Sequence, residues 1–256
     1  MDMPLPFVRR TPLLSLCTVL SLGAMAACTP APPGGGVNDP YETTNREVHS
    51  FNKSLDRAVL RPLGQVAAEA PREVTGPVAN FADNIGLPGM VLNGVLQGDV
   101  GGAGTNTMRF LLNTTIGVGG LFDPAGGIGL HEETTDFGET LAVWGADEGA
   151  YIELPVFGPS TERDAAGRIV DLVLDPLSRV GTQPQLDYGA VTRGAAIVIN
   201  RGRFMQTMDG VLYESADSYL QSRSAYLQNR RFDLGEAPSG AEAGIDPFAL
   251  DLEGFE

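Results

Sequence analysis

The sequence is poor in lysine, histidine and cysteine, and each shortage removes a class of function. Lys53 is the only lysine, so arginine supplies nearly every positive charge. The 17 Lys+Arg residues stand against 32 Asp+Glu, a net charge of −15. So acidic a chain offers no broad basic surface for nucleic acid. Two histidines (His49 and His131) and two cysteines (Cys17 and Cys28) are too few for a zinc site or a disulfide scaffold. His131-Glu132-Glu133-Thr134-Thr135 opens like a zinc-protease helix but lacks the second histidine. There is no G-x-S-x-G elbow and no phosphate loop. Gly117-Val118-Gly119-Gly120 fails the dinucleotide fingerprint, because Phe122 stands where the third glycine belongs. The sequence therefore gives no catalytic residue, no metal ligand and no cofactor site. Charged residues are also sparse, at 19% against a usual quarter or so.

Apolar and flexible residues are abundant instead. Hydrophobic residues reach 43%, with 33 glycines and 18 prolines to interrupt regular elements. Arg9 and Arg10 precede residues 13–27, a run without charge. This is the layout of a secretory signal over residues 1–27. The run is too short for a spanning helix, which needs about 20 apolar residues. It ends in Met25-Ala26-Ala27-Cys28. That resembles a bacterial lipobox, with Met25 where leucine is commoner. Cys28 would then be the lipidated first residue of the mature chain; the alternative is an ordinary A-x-A cut that leaves Cys28 over. Acyl chains on Cys28 would hold the protein at a membrane at about 0.8 kcal/mol per buried methylene. Thr29 in place of aspartate favours sorting to the outer membrane. Residues 28–38 then form a Pro/Gly tether.

The body reads as helices broken by glycine and proline. Asn45 caps a helix to about residue 57, with Val48, Phe51 and Leu55 on one stripe. Leu60-Arg61-Pro62 stops it. Pro71 opens another, continued by Val74, Val78, Phe81 and Ile85. Residues 84–98 are uncharged, but Pro88 and the glycines make them a poor span. A short helix covers residues 104–113. Asp136 and Glu139 stand at capping-box spacing. Residues 151–154 are extended. Helices follow over 161–174, with Ile169, Val170 and Val173 as apolar face, over 188–213, with Val198, Met205, Met208 and Leu212 on one side, and over 217–230. Short amphipathic helices on a tethered chain suit a position in the membrane interface; a water-exposed helical domain hanging from its tether has the same pattern.

Three segments stand apart. Residues 117–130 hold six glycines among apolar residues and one carboxylate, Asp123, and read as a mobile, lipid-compatible loop or as a plain turn region. Tyr219, Arg223, Tyr226 and Arg230 share one helical face. Such residues suit a membrane–water interface with arginine heads on phosphate, or arginines paired with Asp217 or Asp233 on a solvated surface. Residues 233–256 carry seven acids and no base, and read as an acidic disordered tail.

In order along the chain, a set of short motifs resembles the MlaA/VacJ family of outer-membrane phospholipid-transport lipoproteins. They are Asp39-Pro40-Tyr41-Glu42 with Asn45-Arg46 and Phe51-Asn52; Leu60-Arg61-Pro62; Asn80-Phe81 with Asn84; Leu96-Gln97-Gly98-Asp99; and Arg109-Phe110 with Asn113-Thr114. Gly117, Gly119-Gly120 and Asp123 follow, then Phe137-Gly138 with Thr140-Leu141, Leu154-Pro155, Gly158-Pro159-Ser160-Thr161 and Arg163-Asp164. The resemblance covers residues 39–232 behind the lipobox. It implies a mainly α fold: a ring-like disc of amphipathic helices lying in one leaflet of the outer membrane around a polar channel. It also implies an activity that is not enzymatic. Phospholipid misplaced in the outer leaflet passes through the channel to a soluble periplasmic carrier for retrograde transport, and the disc associates with a porin trimer. By the same resemblance, Gly117, Gly119, Gly120 and Asp123 belong to a hairpin gating the channel, and Phe51 and Asn52 lie near the ring rim. The rival expectation is a structural envelope lipoprotein, or a porin-associated scaffold, without lipid cargo.

Overall fold

The structure, a computed structural model, describes residues 36–174 and 183–236. The signal segment, Cys28, most of the 28–38 tether and the tail beyond residue 236 lie outside the described residues. The first helix, α1 (Glu42–Leu55), starts three residues before the expected cap. Asn45 does not cap it, and its side chain turns inward to the strand edge described below. Leu60-Arg61-Pro62 does not stop the helical path either. A π-helical turn over Asp56–Leu60 carries the backbone straight into α2 (Arg61–Glu69). Pro62 sits at the start of α2, where its missing N–H is least costly.

Helix α3 (Arg72–Gln97) runs for 26 residues through both Pro77 and Pro88. It ends at Gly98 in the left-handed conformation (φ 78°), a stop that glycine makes without steric cost. Asp99 then caps α4 (Val100–Thr115) by accepting the Gly102 amide at 3.0 Å. Helices α3 and α4 pack as an antiparallel pair. A Cβ on Gly94 would lie 3.2 Å from the Ala103 Cβ, so the approach is as close as small residues allow. Despite the length of α3, no described helix is long and apolar enough to cross a membrane.

A one-turn helix, α5 (Pro124–Gly127), and α6 (Phe137–Val143) follow. Asp136 caps α6 as its spacing predicts, accepting the Glu139 amide at 2.8 Å. The extended piece at Tyr151–Leu154 is β1. Its antiparallel partner β2 (Gly158–Thr161) was not foreseen, because Pro159 and two small residues carry no strand pattern. Helix α7 is Glu162–Leu174. The expected single helix over 188–213 is three pieces: α8 (Gln183–Arg203), α9 (Met205–Asp209) and a π-helical segment over Gly210–Glu214. The last helix, α10 (Ser218–Asp233), is capped by Asp217.

The fold is mainly helical, and its interior is polar. The apolar core is a small cluster of Tyr151, Tyr219 and Leu227, with Val37 and Tyr226 against it. Around it, buried polar side chains hold the elements together. The Arg201 guanidinium of α8 reaches Asp56 at 2.7 and 3.0 Å and Asp209 at 2.5 Å. Arg61 binds Asp209 from α2 at 2.8 Å, and the Tyr213 hydroxyl donates to Asp56 at 2.8 Å. One buried arginine thus joins α8 to the turn after α1 and to α9. The outer edge of β1 is served by side chains rather than a strand: Asn45 donates to Tyr151 O and accepts the Glu153 amide, while Asn52 donates to Leu154 O. That satisfies backbone groups which burial would otherwise leave unpaired.

Candidate functional site

The loop 117–130 is built from α4 upward. Asn106, Arg109 and Asn113, spaced three and four apart, share one face of α4 and are all buried. Asn106 exchanges two hydrogen bonds with the backbone of Glu133. Arg109 donates to Leu130 O and to Asp123 at 3.2 Å. Asn113 donates to Asp123 at 2.9 Å and accepts the Ala125 amide. Asp123 in turn accepts the Gly126 amide at 2.9 Å and so caps α5. Burial pushes the Asp123 carboxyl up, but the Gly126 amide, Asn113 and Arg109 outweigh it and hold it below the usual carboxylate range.

These hydrogen bonds join the loop to α4, and α3 holds its other side. Asn80 donates to Leu121 O, and Asn84 donates to the Thr114 hydroxyl. Three glycines of the expected gate play different parts. Gly117 is wedged between Asn113 and Phe122 backbone, with no room for a Cβ. Gly120 (φ 94°) sits against the Asn84 side chain, where a Cβ would lie 2.6 Å from the amide nitrogen. Gly119 (φ 74°) faces open space. The sequence motifs included Arg109 and Asn113 but not Asn106, and the helical spacing that puts the three on one face of α4 was the signal that could have found them.

The stripe on α10 does not reach outward. Tyr219 is buried and its hydroxyl donates to Asp39 at 2.5 Å; Arg223 binds the same Asp39 oxygen. The Tyr226 hydroxyl donates to Asp164, and Arg230 binds Asp136 at 2.6 Å and Asp164 at 3.0 Å. Burial pushes Asp164 up, but the Arg230 charge, the Tyr226 hydroxyl and Arg163 hold it below its ordinary value. The carboxylates that the stripe meets are Asp39, Asp136 and Asp164 from distant segments, not the expected Asp217 or Asp233. Tyr219, Tyr226 and Leu227 lie at the small core, which turns the Tyr/Arg face of α10 toward the interior, while Leu220 stays exposed. Phe51 is exposed on α1, and Asn52 beside it pins the β1–β2 hairpin, accepting the Val156 amide at 2.7 Å.

A second arrangement looks chemical. His49 Nδ1 lies 3.2 Å from Glu153, and His49 Nε2 lies 3.1 Å from the Ser218 hydroxyl. The order is that of a hydrolytic triad. However, the Tyr219 and Leu220 amides beside Ser218 are already held by the Asp217 carboxylate, and Lys53 donates to the Ser218 hydroxyl at 3.2 Å. The Tyr151 hydroxyl binds Glu153 at 2.5 Å. None of the three residues lines either cavity described below. The group acts as a strut joining α1, β1 and α10.

An open cavity lies elsewhere. A cavity of about 760 Å³ lies between α3, the β1–β2 hairpin and α7. Met90, Leu154, Phe157, Ile169 and Leu172 form its apolar walls, and Asn93, Arg168 and Asp171 its polar edge. Asp171 is set by Asn93 at 2.9 Å and by the Phe137 amide at 3.0 Å. Of the expected apolar face of α7, Ile169, Val170 and Val173, only Ile169 lines this open cavity; Ile169 stays exposed, as does Leu172 beside it, at 75%. None of Gly117, Gly119, Gly120 or Asp123 lines it. A smaller polar pocket of about 190 Å³ adjoins it and shares Arg168. Outside the cavity, Val100, Met108, Leu111, Ile116, Phe122 and Ile128 lie exposed on α4 and its loop. So many large apolar side chains on the outside, over so polar an inside, mark a surface meant for apolar contact.

This geometry agrees with the relatives of the chain. A protein of Rickettsia felis without an assigned function is 36% identical over 196 residues, covering 76% of this chain and 77% of its own. The intermembrane phospholipid transport system lipoprotein MlaA of Escherichia coli K12 is 32% identical over 228 residues, 87% of this chain and 88% of the relative. A solved structure concerned with the maintenance of bacterial outer membrane lipid asymmetry superposes with a TM-score of 0.66 at 32% identity, covering 77% of this chain and 98% of that one. The MlaA lipoprotein family model matches residues 37–233, so nearly the whole described body, and the chain belongs to the MlaA lipoprotein family.

Proposed function

We propose that this chain is a lipid-anchored outer-membrane protein that takes misplaced phospholipid from the outer leaflet and passes it to a soluble periplasmic carrier. The observation that carries the reading is the inverted polarity: polar interior, apolar exterior, and an amphiphilic cavity of about 760 Å³ opening between them. A phospholipid needs an apolar path for its chains and a polar one for its head. A disc whose outer helices lie in one leaflet supplies the first, and its polar inside supplies the second. Family membership supports transport between membranes, and the retrograde direction follows the family resemblance. Residues 1–27 act as the signal, Cys28 carries the anchor, 28–38 tether the body at the periplasmic leaflet, and the tail from 233 stays in the periplasm. A porin trimer is the expected neighbour of the exposed rim near Phe51. Gly119 is the residue of the 117–123 turn best placed to act in gating, because it alone of the three glycines faces open space.

The test is deletion of the gene, with a surface-accessible phospholipase reading the phospholipid exposed in the outer leaflet. Exposure rises, and the wild-type gene restores it while a Cys28→Ala form does not. An unchanged surface in an intact envelope would overturn the transport reading in favour of a structural lipoprotein or porin scaffold.

A further inference from the structure

The two cavities meet at one side chain. Arg168, exposed on α7, lines both the apolar cavity and the adjoining polar pocket. One turn of α7 separates the two characters: Asp164 and Arg168 face the polar side, while Ile169 and Leu172 face the apolar one. A space for hydrocarbon and a space for charge therefore lie within the reach of one guanidinium.

The charges of the polar pocket are unequal in availability. Asp164 is buried and committed to Arg230 and Tyr226. Arg230 is committed to Asp136 and Asp164, although its buried Nε makes no hydrogen bond. Asp136 uses Oδ1 for both the Glu139 amide and Arg230, and its side chain is still 45% exposed. Asp233 is exposed at the end of α10, held by Asn229 at 2.9 Å. What a ligand meets is a guanidinium at the border and two accessible carboxylates beyond it. A group that is negative on the side of the hydrocarbon and positive beyond matches that order.

Resting on the lipid reading above, we infer that this pocket is a headgroup subsite for a phosphate ester bearing an ammonium group, the phosphoethanolamine type. Arg168 takes the phosphate as a charge-assisted donor. Asp136 and Asp233 take the ammonium. A lipid whose head is a phosphate with a neutral alcohol brings only negative charge to two exposed carboxylates, and is disfavoured by that repulsion as much as by the missing contact.

The experiment uses the full lipidated chain in detergent. Phosphatidylethanolamine and phosphatidylglycerol of identical acyl chains are added in equal amounts, and native mass spectrometry counts the adducts. The ethanolamine lipid exceeds the glycerol lipid by about tenfold, the scale of one charge-assisted hydrogen bond. The double variant Asp136→Asn with Asp233→Asn removes the preference and keeps the total lipid bound; asparagine preserves the α6 cap. Asp233→Asn alone, a surface change, lowers the preference about threefold, and keeps the test open if the double variant folds poorly. Arg168→Gln lowers both lipids. Equal binding of the two lipids by the wild type, or a preference that persists in Asp233→Asn and in the folded double variant, overturns the headgroup subsite and leaves the cavity reading standing. Failure of the wild type to retain either lipid overturns the cavity reading, and the subsite with it. Free glycerophosphoethanolamine is the last arm. If it displaces the ethanolamine lipid at equal concentration, the pocket serves a soluble phosphate ester and the lipid assignment is overturned; if it does not, the acyl chains in the apolar cavity are part of recognition.

Discussion

Arg201 and Leu172 have exchanged the places usual in a water-soluble protein. The arginine is 5% exposed and the leucine 75%. The interior around Arg201 is a set of ion pairs joining α8, α9 and the turn after α1. The exterior around Leu172 is an apolar margin on an open cavity. In water this distribution would cost twice, once for desolvated charge and once for wetted hydrocarbon. Facing lipid, the second cost disappears and the first is met by pairing. The comparison fits the lipid-facing position proposed above, and it shows charge inside doing the fastening that apolar packing does elsewhere.

The strongest way to break that comparison is at Arg201. Arg201→Ala leaves Asp56 buried without its cation and destabilises the fold by about 3–5 kcal/mol, read as a lower midpoint in chemical denaturation. A loss under about 1 kcal/mol would mean that apolar contacts hold the body after all. Next comes Gly120→Val, which meets both a left-handed backbone and the Asn84 side chain, at roughly 2–4 kcal/mol. Gly119→Val has the backbone strain alone, about 1–2 kcal/mol. It therefore keeps the fold while testing the gate, through outer-leaflet phospholipid. Normal transport in a stable Gly119→Val protein removes the gating role.

The pH profile sharpens the same contrast. Asp123, Asp164 and Asp209 have folded values below the ordinary carboxylate, each pushed up by burial and then more strongly down by amide, hydroxyl or guanidinium partners. Their stabilisation is present above the unfolded value, about 3.9, and is lost as pH falls below it toward their folded values. Burial raises Asp83 and Glu132, which also repel each other. For these the native state takes up protons first, so stability rises as pH drops from neutrality through their raised values. Urea midpoints across pH should peak in the mildly acidic range and fall below about pH 4. A midpoint flat between pH 7 and 3 contradicts both groups. The smallest effect is at the rim: Leu172→Ser changes stability by no more than about 0.5 kcal/mol, yet lowers lipid retained on purification.

What could be read from the chain was local. The Asp136 cap over α6, the extended piece at Tyr151–Leu154 and the helix opening at Asp217 each depend on residues a few positions apart, and each is found. The hydrogen bonds joining the loop to α4, the π-helical turn before Pro62 and the inward stripe of α10 were not legible. Arg223 meets Asp39 across 184 positions, and Arg201 meets Asp56 across 145. Nothing in local periodicity says which of 32 acids an arginine will find.

By itself the sequence determined that the chain is acidic, supplied with arginine rather than lysine, helical, and that its uncharged stretches at 13–27 and 84–98 are too short or too interrupted for a spanning helix. It also determined that most helices have two faces. Which face turns inward was decided only by the tertiary structure. Amphipathic spacing separates polar from apolar side chains, but burial is a choice between two environments, and that choice depends on what the rest of the fold and the surrounding solvent put on each side.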